Sequence, residues 1–244
     1  MSENRNALGQ PVGRPLPGWS GARRPERATM RGRFCRLEPL DAARHGPELH
    51  AANALDAEGR MWTYLPYGPF SGWHDYRDWL GSMAAASDPH CYAIVDARWG
   101  RAIGVASYLR IDPGNGSIEV GHLGYSPYLQ RTPAATEAMA MMMRYAFALG
   151  NRRYEWKCDS LNQPSRSAAE RLGFRFEGIF RQAVVVKGRN RDTAWYSILD
   201  SEWPALDKGF ERWLAPANFD EQGRQRLRLS DCLLSGNPAT ETSL

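Results

Sequence analysis

Cysteine is scarce in this chain and its four residues, Cys35, Cys91, Cys158 and Cys232, lie far apart. No C-x-x-C pair exists, so zinc-ligand spacing is missing, and nothing in the pattern argues for a disulfide framework. The five histidines, His45, His50, His74, His90 and His122, form no metal-ligand cluster either, and no metal is expected. No apolar run approaches the length of a membrane span, and the N-terminus lacks the apolar core of a secretion signal. A cytoplasmic protein without a membrane partner is the expectation. Charge of one sign is also lacking, since the net charge is only +4 and the arginines are spread through both ends and several loops. No helix or loop interleaves basic residues with exposed aromatics, which argues against a nucleic-acid face and points to an anionic small ligand.

What is present suits one domain with flanking segments. Residues 1–28, rich in Gly, Pro, Arg and Asn, read as a disordered or loosely docked arm that Trp19 could pin to the body. A body of 29–215 follows, then a polar C-terminal tail over 216–244. Met30–Leu37 alternates as a first strand, and Asp41 can cap a helix running to about Asn53. Asp56–Trp79 is dense in aromatics; Trp62, Tyr64, Tyr67, Phe70, Trp73, Tyr76 and Trp79 suit either plain core or the wall of a cleft. Strands are expected at His90–Asp96, Ala102–Ile111 and Ser117–Tyr125, with an emphatic turn at Asp112–Gly116. A long apolar helix runs from Thr132 to Gly150, and a strand over Arg153–Asp159 follows. A short helix at Pro164–Leu172 precedes a hairpin of Phe174–Val186 with Thr193–Leu199, and a last helix spans Glu202–Leu214. Antiparallel strands first and a strand–helix–strand crossover later imply an α+β fold with a mixed, mostly antiparallel sheet flanked by helices.

The decapeptide LQRTPAATEA, Leu129–Ala138, launches the long helix. Thr132 is a good cap, Pro133 fits the first helical position, and small residues follow with free amides at the positive helix end. The stretch reads equally as an ordinary helix start or as a phosphate site to which Arg131 adds a charge.

Gln130-x-x-Pro133-x-Ala135 after a strand and turn, then Asn162-x-x-Ser165, Leu172-Gly173-Phe174 and Glu177-Gly178, resembles the GNAT N-acetyltransferases. The likeness runs from about Arg31 to Trp203 and is closest to the RimJ/RimL-like branch. It implies the GNAT acyl-CoA N-acyltransferase fold, acetyl-CoA as cosubstrate and a primary amine as acceptor. By the same resemblance the backbone of Gln130, Arg131, Thr132, Ala134, Ala135 and Thr136 binds the pyrophosphate. Pro133 stands where the family has glycine, so one donor worth roughly 1.5–3 kcal/mol is missing while φ is preset.

Acetyl transfer needs a neutral amine, stabilisation of the thioester oxygen and a proton for the leaving thiolate. Glu119, in the strand before the loop, is the first candidate base. His122 is the second; alternation puts it on the opposite face from Glu119 unless the strand breaks near Gly121 and Gly124. The resemblance puts Asn162 near the pantetheine or acetyl group, with Ser165 as proton donor to the thiolate and Arg166 either on the 3′-phosphate or on the surface. Cys158 reads as core. The basic turn Lys187–Arg191 is a solvated hairpin end or, if it faces the cleft, a contact for an acidic acceptor. The closing hairpin offers an edge that could pair in a homodimer. A non-catalytic acyl-CoA-binding regulatory module on the same fold is the alternative function, and an arm-mediated nucleic-acid role ranks last. The acceptor, a protein N-terminus or a small-molecule amine, stays open.

Overall fold

The computed structural model describes residues 4–234. Eight strands form one sheet in the order β1 (Met30–Arg31), β2 (Cys35–Pro39), β3 (His90–Asp96), β4 (Ala102–Asp112), β5 (Ser117–Tyr125), β6 (Arg153–Asp159), β8 (Arg189–Leu199), β7 (Arg175–Val186). Every neighbouring pair is antiparallel except β5 with β6. That parallel pair demands a crossover, supplied by α3 (Pro133–Ala148).

Alternation along the strands builds two cores. Tyr92 and Ile94 of β3 join Ile118, Val120, Tyr154 and the methionines of α3 on one face. Cys91, Ala93 and Val95 point the other way, onto α1 (Ala42–Asn53) and α2 (Trp73–Ala85). Trp62 and Tyr76 are buried in this second core, whereas Tyr64 lines a cleft, so the aromatic segment serves both purposes. Among the described residues α1 packs chiefly on β4 and α2 on β3, so that face of β6 and β8 is left largely uncovered by them.

Three expected boundaries change. The first strand breaks at residues 32–34 because Glu137 of α3, buried, accepts from the backbone amides of Arg33, Phe34 and Cys35 at 2.7, 2.6 and 2.9 Å. Those donors are unavailable to a ladder, and a Cβ on Gly32 would sit 2.4 Å from that carboxylate. The closing hairpin turns on Lys187 and Gly188 alone, both at positive φ, so β8 begins at Arg189 rather than Thr193. The third change lies in the segment read as a polar tail from residue 216. After α5 (Trp203–Leu214), Phe219 packs edge-on to Phe34 and Trp213, and α6 (Leu229–Leu234) buries Leu229 and Cys232. Asn218 ties this return together, donating to Trp213 O and accepting from the Leu227 amide, both at 2.8 Å. Residues 235–244 of the expected tail lie outside the described residues.

In the arm, Trp19 Nε1 donates to Gly114 O at 2.9 Å, and the Ala22 and Arg23 amides donate to Pro113 O and Leu149 O. No helix among the described residues is long and apolar enough to cross a membrane.

Replacing Glu137 by Ala leaves three amides without their acceptor. With about 1–3 kcal/mol for a buried unsatisfied group, the variant is expected to lose roughly 3 kcal/mol or more in urea unfolding. A midpoint equal to wild type would remove Glu137 as the anchor of the β1–β2 break.

Candidate active site

Pairing of β5 with β6 stops at Val120 opposite Trp156, although β5 continues to Tyr125 and β6 to Asp159. The cause is a bulge in β5: Val105 of β4 opposes Gly124 and Ser107 opposes Gly121, so β5 carries an extra residue in this interval. His122 sits in the bulge at φ 50°. The strands splay and open a cleft of about 1180 Å³ through the sheet. There the two strands no longer pair with each other, while β5 keeps β4 and β6 keeps β8 on their other edges.

On one side the cleft meets the start of α3. Thr132 caps the helix, its hydroxyl accepting from the Ala135 amide at 3.3 Å and donating to Leu129 O at 2.7 Å. Arg131 has φ 61°, and among the described residues neither its amide nor that of Ala134 has an acceptor. Two free donors at a helix N-terminus suit an anion. Gln130 lines the cleft, but its side chain is spent on Tyr125 O at 2.8 Å, bracing the loop. Ala134 borders a separate hollow with Arg33 and Asp96. Ala135 and Thr136 line the cleft itself, and the Thr136 hydroxyl accepts from Arg171 Nη2 at 3.1 Å.

Arg166, read in the sequence as either on the 3′-phosphate or on the surface, lies outside the cleft lining. Its guanidinium is held by Tyr196 Oη at 3.1 Å and Ser160 O at 3.3 Å. The cation that α4 (Gln163–Arg171) gives this end is Arg171, with Arg131 and Arg224 beside it. Neither Arg171 nor Arg224 was singled out in the sequence; Arg224 reaches the cleft only because the C-terminal segment folds back.

At the waist, Asn162 Oδ1 accepts from the Ser165 amide at 3.1 Å as the cap of α4. Both residues line the cleft. Trp156 Nε1 donates to Ser165 Oγ at 3.0 Å, which leaves the serine's own proton for Cys158 Sγ or for a group in the cleft. Burial pushes the neighbouring Cys158 thiol above its ordinary pKa, so the thiolate is disfavoured despite a hydrogen bond with Ser165.

The far side is the face that α1 and α2 leave largely uncovered. Glu119, buried, accepts from Arg110 Nη1 with both oxygens at 2.7 and 2.8 Å and from Lys157 Nζ at 2.9 Å. Lys157 also pairs with Glu155 at 2.7 Å and lies 3.8 Å from the Trp195 ring centroid. The bulge swings His122 onto the Glu119 side, where its ring stacks on Tyr67 and Nδ1 meets Tyr67 Oη at 3.1 Å. Burial, and secondarily Arg110, hold the imidazole below its ordinary pKa. Nε2 makes no hydrogen bond among the described residues. Two contacts bridge the walls above this face: Tyr64 Oη to Leu161 O at 3.2 Å and Lys187 Nζ to Trp62 O at 2.7 Å. Among the described residues no three His, Cys, Asp or Glu side chains gather as a metal site.

Residues 35–175 match the Acetyltransferase (GNAT) domain. An uncharacterised N-acetyltransferase of Bacillus licheniformis is 28% identical over 145 residues, covering 57% of this chain and 80% of that protein. The ribosomal-protein-serine acetyltransferase of Escherichia coli is 32% identical over 101 residues, covering 41% of this chain and 56% of that one. A GCN5-related N-acetyltransferase from Brucella melitensis superposes with TM-score 0.87 at 48% identity, over 89% of this chain and 99% of that chain. A sheet split at its one parallel pair, an amide-lined helix start on one side of the split and these likenesses lead to one assignment: the chain belongs to the GNAT acetyltransferase family and is an N-acetyltransferase.

Proposed function

We propose that the chain transfers the acetyl group of acetyl-CoA directly to a primary amine, of a protein N-terminus or a small molecule, with both substrates bound together. The observation that carries this reading is the cleft that joins the start of α3, with the free amide of Arg131, to the His122 face across the sheet. In the proposal the pyrophosphate lies against Arg131–Thr136 with Arg171 beside it. The unpaired edges of β5 and β6 suit the amide groups of a pantetheine arm. The disfavoured Cys158 thiolate supports direct attack over an acyl-enzyme.

Sequence reasoning favoured Glu119 as the base. Its two oxygens already accept from Arg110 and Lys157, so a proton there would disrupt both ion pairs. His122 is the better acceptor for the amine proton: it is held neutral, Tyr67 fixes Nδ1, and Nε2 is free. Glu119 keeps Arg110 and Lys157 in place at the cleft. Ser165, its oxygen already engaged by Trp156, offers its proton to the departing thiolate.

Because the His122 pKa lies below its ordinary value of about 6.5, kcat at saturating amine should stay level below that pH. It should fall only as the ring gains its proton. His122→Gln should cost roughly 10²–10⁴ in kcat and remove this acid limb, with CoA affinity unchanged; Glu119→Gln should slow turnover but keep the limb. An acid limb that persists in the His122 variant transfers the role elsewhere. Ser165→Ala should lower kcat with a thioester of poor leaving-group acidity more than with an activated one. Equal losses on both would take Ser165 out of thiolate protonation. Pro133→Gly should weaken CoA binding or leave it level by calorimetry, whereas a clear gain would mean that the missing amide outweighs the preset φ.

A further inference from the structure

The face of β8 that α1 and α2 leave largely uncovered carries polar groups that the transfer mechanism leaves unused. Trp195 opposes Lys157 and Thr193 opposes Asp159 in the antiparallel register. Paired residues share a face, and Lys157 and Asp159 line the cleft, so Trp195, Thr193 and, two residues on, Arg191 belong to the acceptor side. Three polar atoms there are buried without a hydrogen-bond partner: Arg191 Nε, Thr193 Oγ1 and Trp195 Nε1. Arg191 itself lines the cleft, and its guanidinium makes no hydrogen bond or ion pair among the described residues. An unpaired guanidinium with a buried Nε is costly unless something anionic fills the position. The hairpin that carries it is docked over the acceptor side by Lys187 on Trp62 O. Arg191 is also close enough to Cys158, next to Ser165, to lower that thiol's pKa by its charge, which sets it near the reacting end of the cleft.

Resting on the acetyltransfer reading above, we infer that Arg191 is a carboxylate subsite, and that the acceptor is an amine carrying a carboxylate within a few bonds of its nitrogen. A planar guanidinium with free N–H groups matches a carboxylate fork. Such an acceptor is either a free amino acid or a peptide N-terminus with an acidic residue close behind it. The shared chemistry is the same, and the two sources separate by assay.

The test measures CoA release by the full chain on matched pairs: glycine against glycinamide, β-alanine against its amide, and Ser-Glu-Ala against Ser-Gln-Ala peptides with amidated C-termini. Wild type should prefer the acid member of at least one pair roughly ten- to hundredfold in kcat/KM, the scale of a charged hydrogen bond. Preference in the first two pairs identifies a free amino acid, and in the third an acidic N-terminus. Arg191→Gln should collapse that ratio toward unity and Arg191→Lys should restore part of it, neither with a lowered melting temperature. Acid and amide used equally, or a ratio that survives Arg191→Gln, overturns the subsite while leaving acetyl transfer standing. If no amine of any kind releases CoA, the transfer reading fails instead. Calorimetry of the same acids on the CoA complex then decides the subsite, which is overturned if none binds or if Arg191→Gln binds them as well as wild type.

Discussion

The structure depends on the failure of two adjacent strands to stay paired. β5 and β6 are the parallel pair of an otherwise antiparallel sheet. Parallel neighbours need a crossover, and the crossover α3 must begin where β5 ends. Once the bulge at His122 turns β5 away after Val120, the helix start, the loose strand edges and the bulged histidine lie around one opening. A straight β5 would have closed the ladder and sent His122 to the opposite face from Glu119. One inserted residue therefore creates the cleft and brings a second titratable group to the side that carries Glu119.

The opening weakens the sheet at its centre, and compensating interactions lie on both sides of it. Glu137, one turn into α3, holds three amides of the β1–β2 break and fixes the helix against the far edge of the sheet. Around β5 and β6 an alternating chain of charge runs from Arg110 through Glu119, Lys157 and Glu155 to Arg153 and Glu177. Glu119 and Glu155 each have a cation on either side, which lets charged groups occupy a half-buried face. Among the described residues Arg191 takes no part in it.

Local chemistry was legible in the residues. Thr132 and Pro133 announced the helix start, Asp112–Gly116 the turn, and alternation the limits of β3, β5 and β6. Gly121 and Gly124 marked where β5 could break, although the positive φ falls on His122 between them. Long-range pairing was not legible. Nothing near Glu119 reveals that Lys157 meets it from a strand formed after the crossover, and nothing near Arg166 shows that Tyr196 takes its guanidinium. The hairpin turn was placed too broadly because Lys187 tolerates a left-handed backbone that its residue type does not advertise. Phe219 and Asn218, a few apolar and amide groups in a polar stretch, were too sparse to signal a segment that folds back onto the domain.

The Tyr64–Leu161 and Lys187–Trp62 contacts give the opening a lintel as well as two jambs. With those spans overhead, the cleft is a doorway through a wall rather than a bowl set in it, and its two thresholds face opposite ways. In the proposed reading, cosubstrate and acceptor reach the reacting atoms from separate rooms, so neither has to vacate its entrance for the other. The sheet becomes a partition that keeps two traffic streams apart until they meet in its thickness.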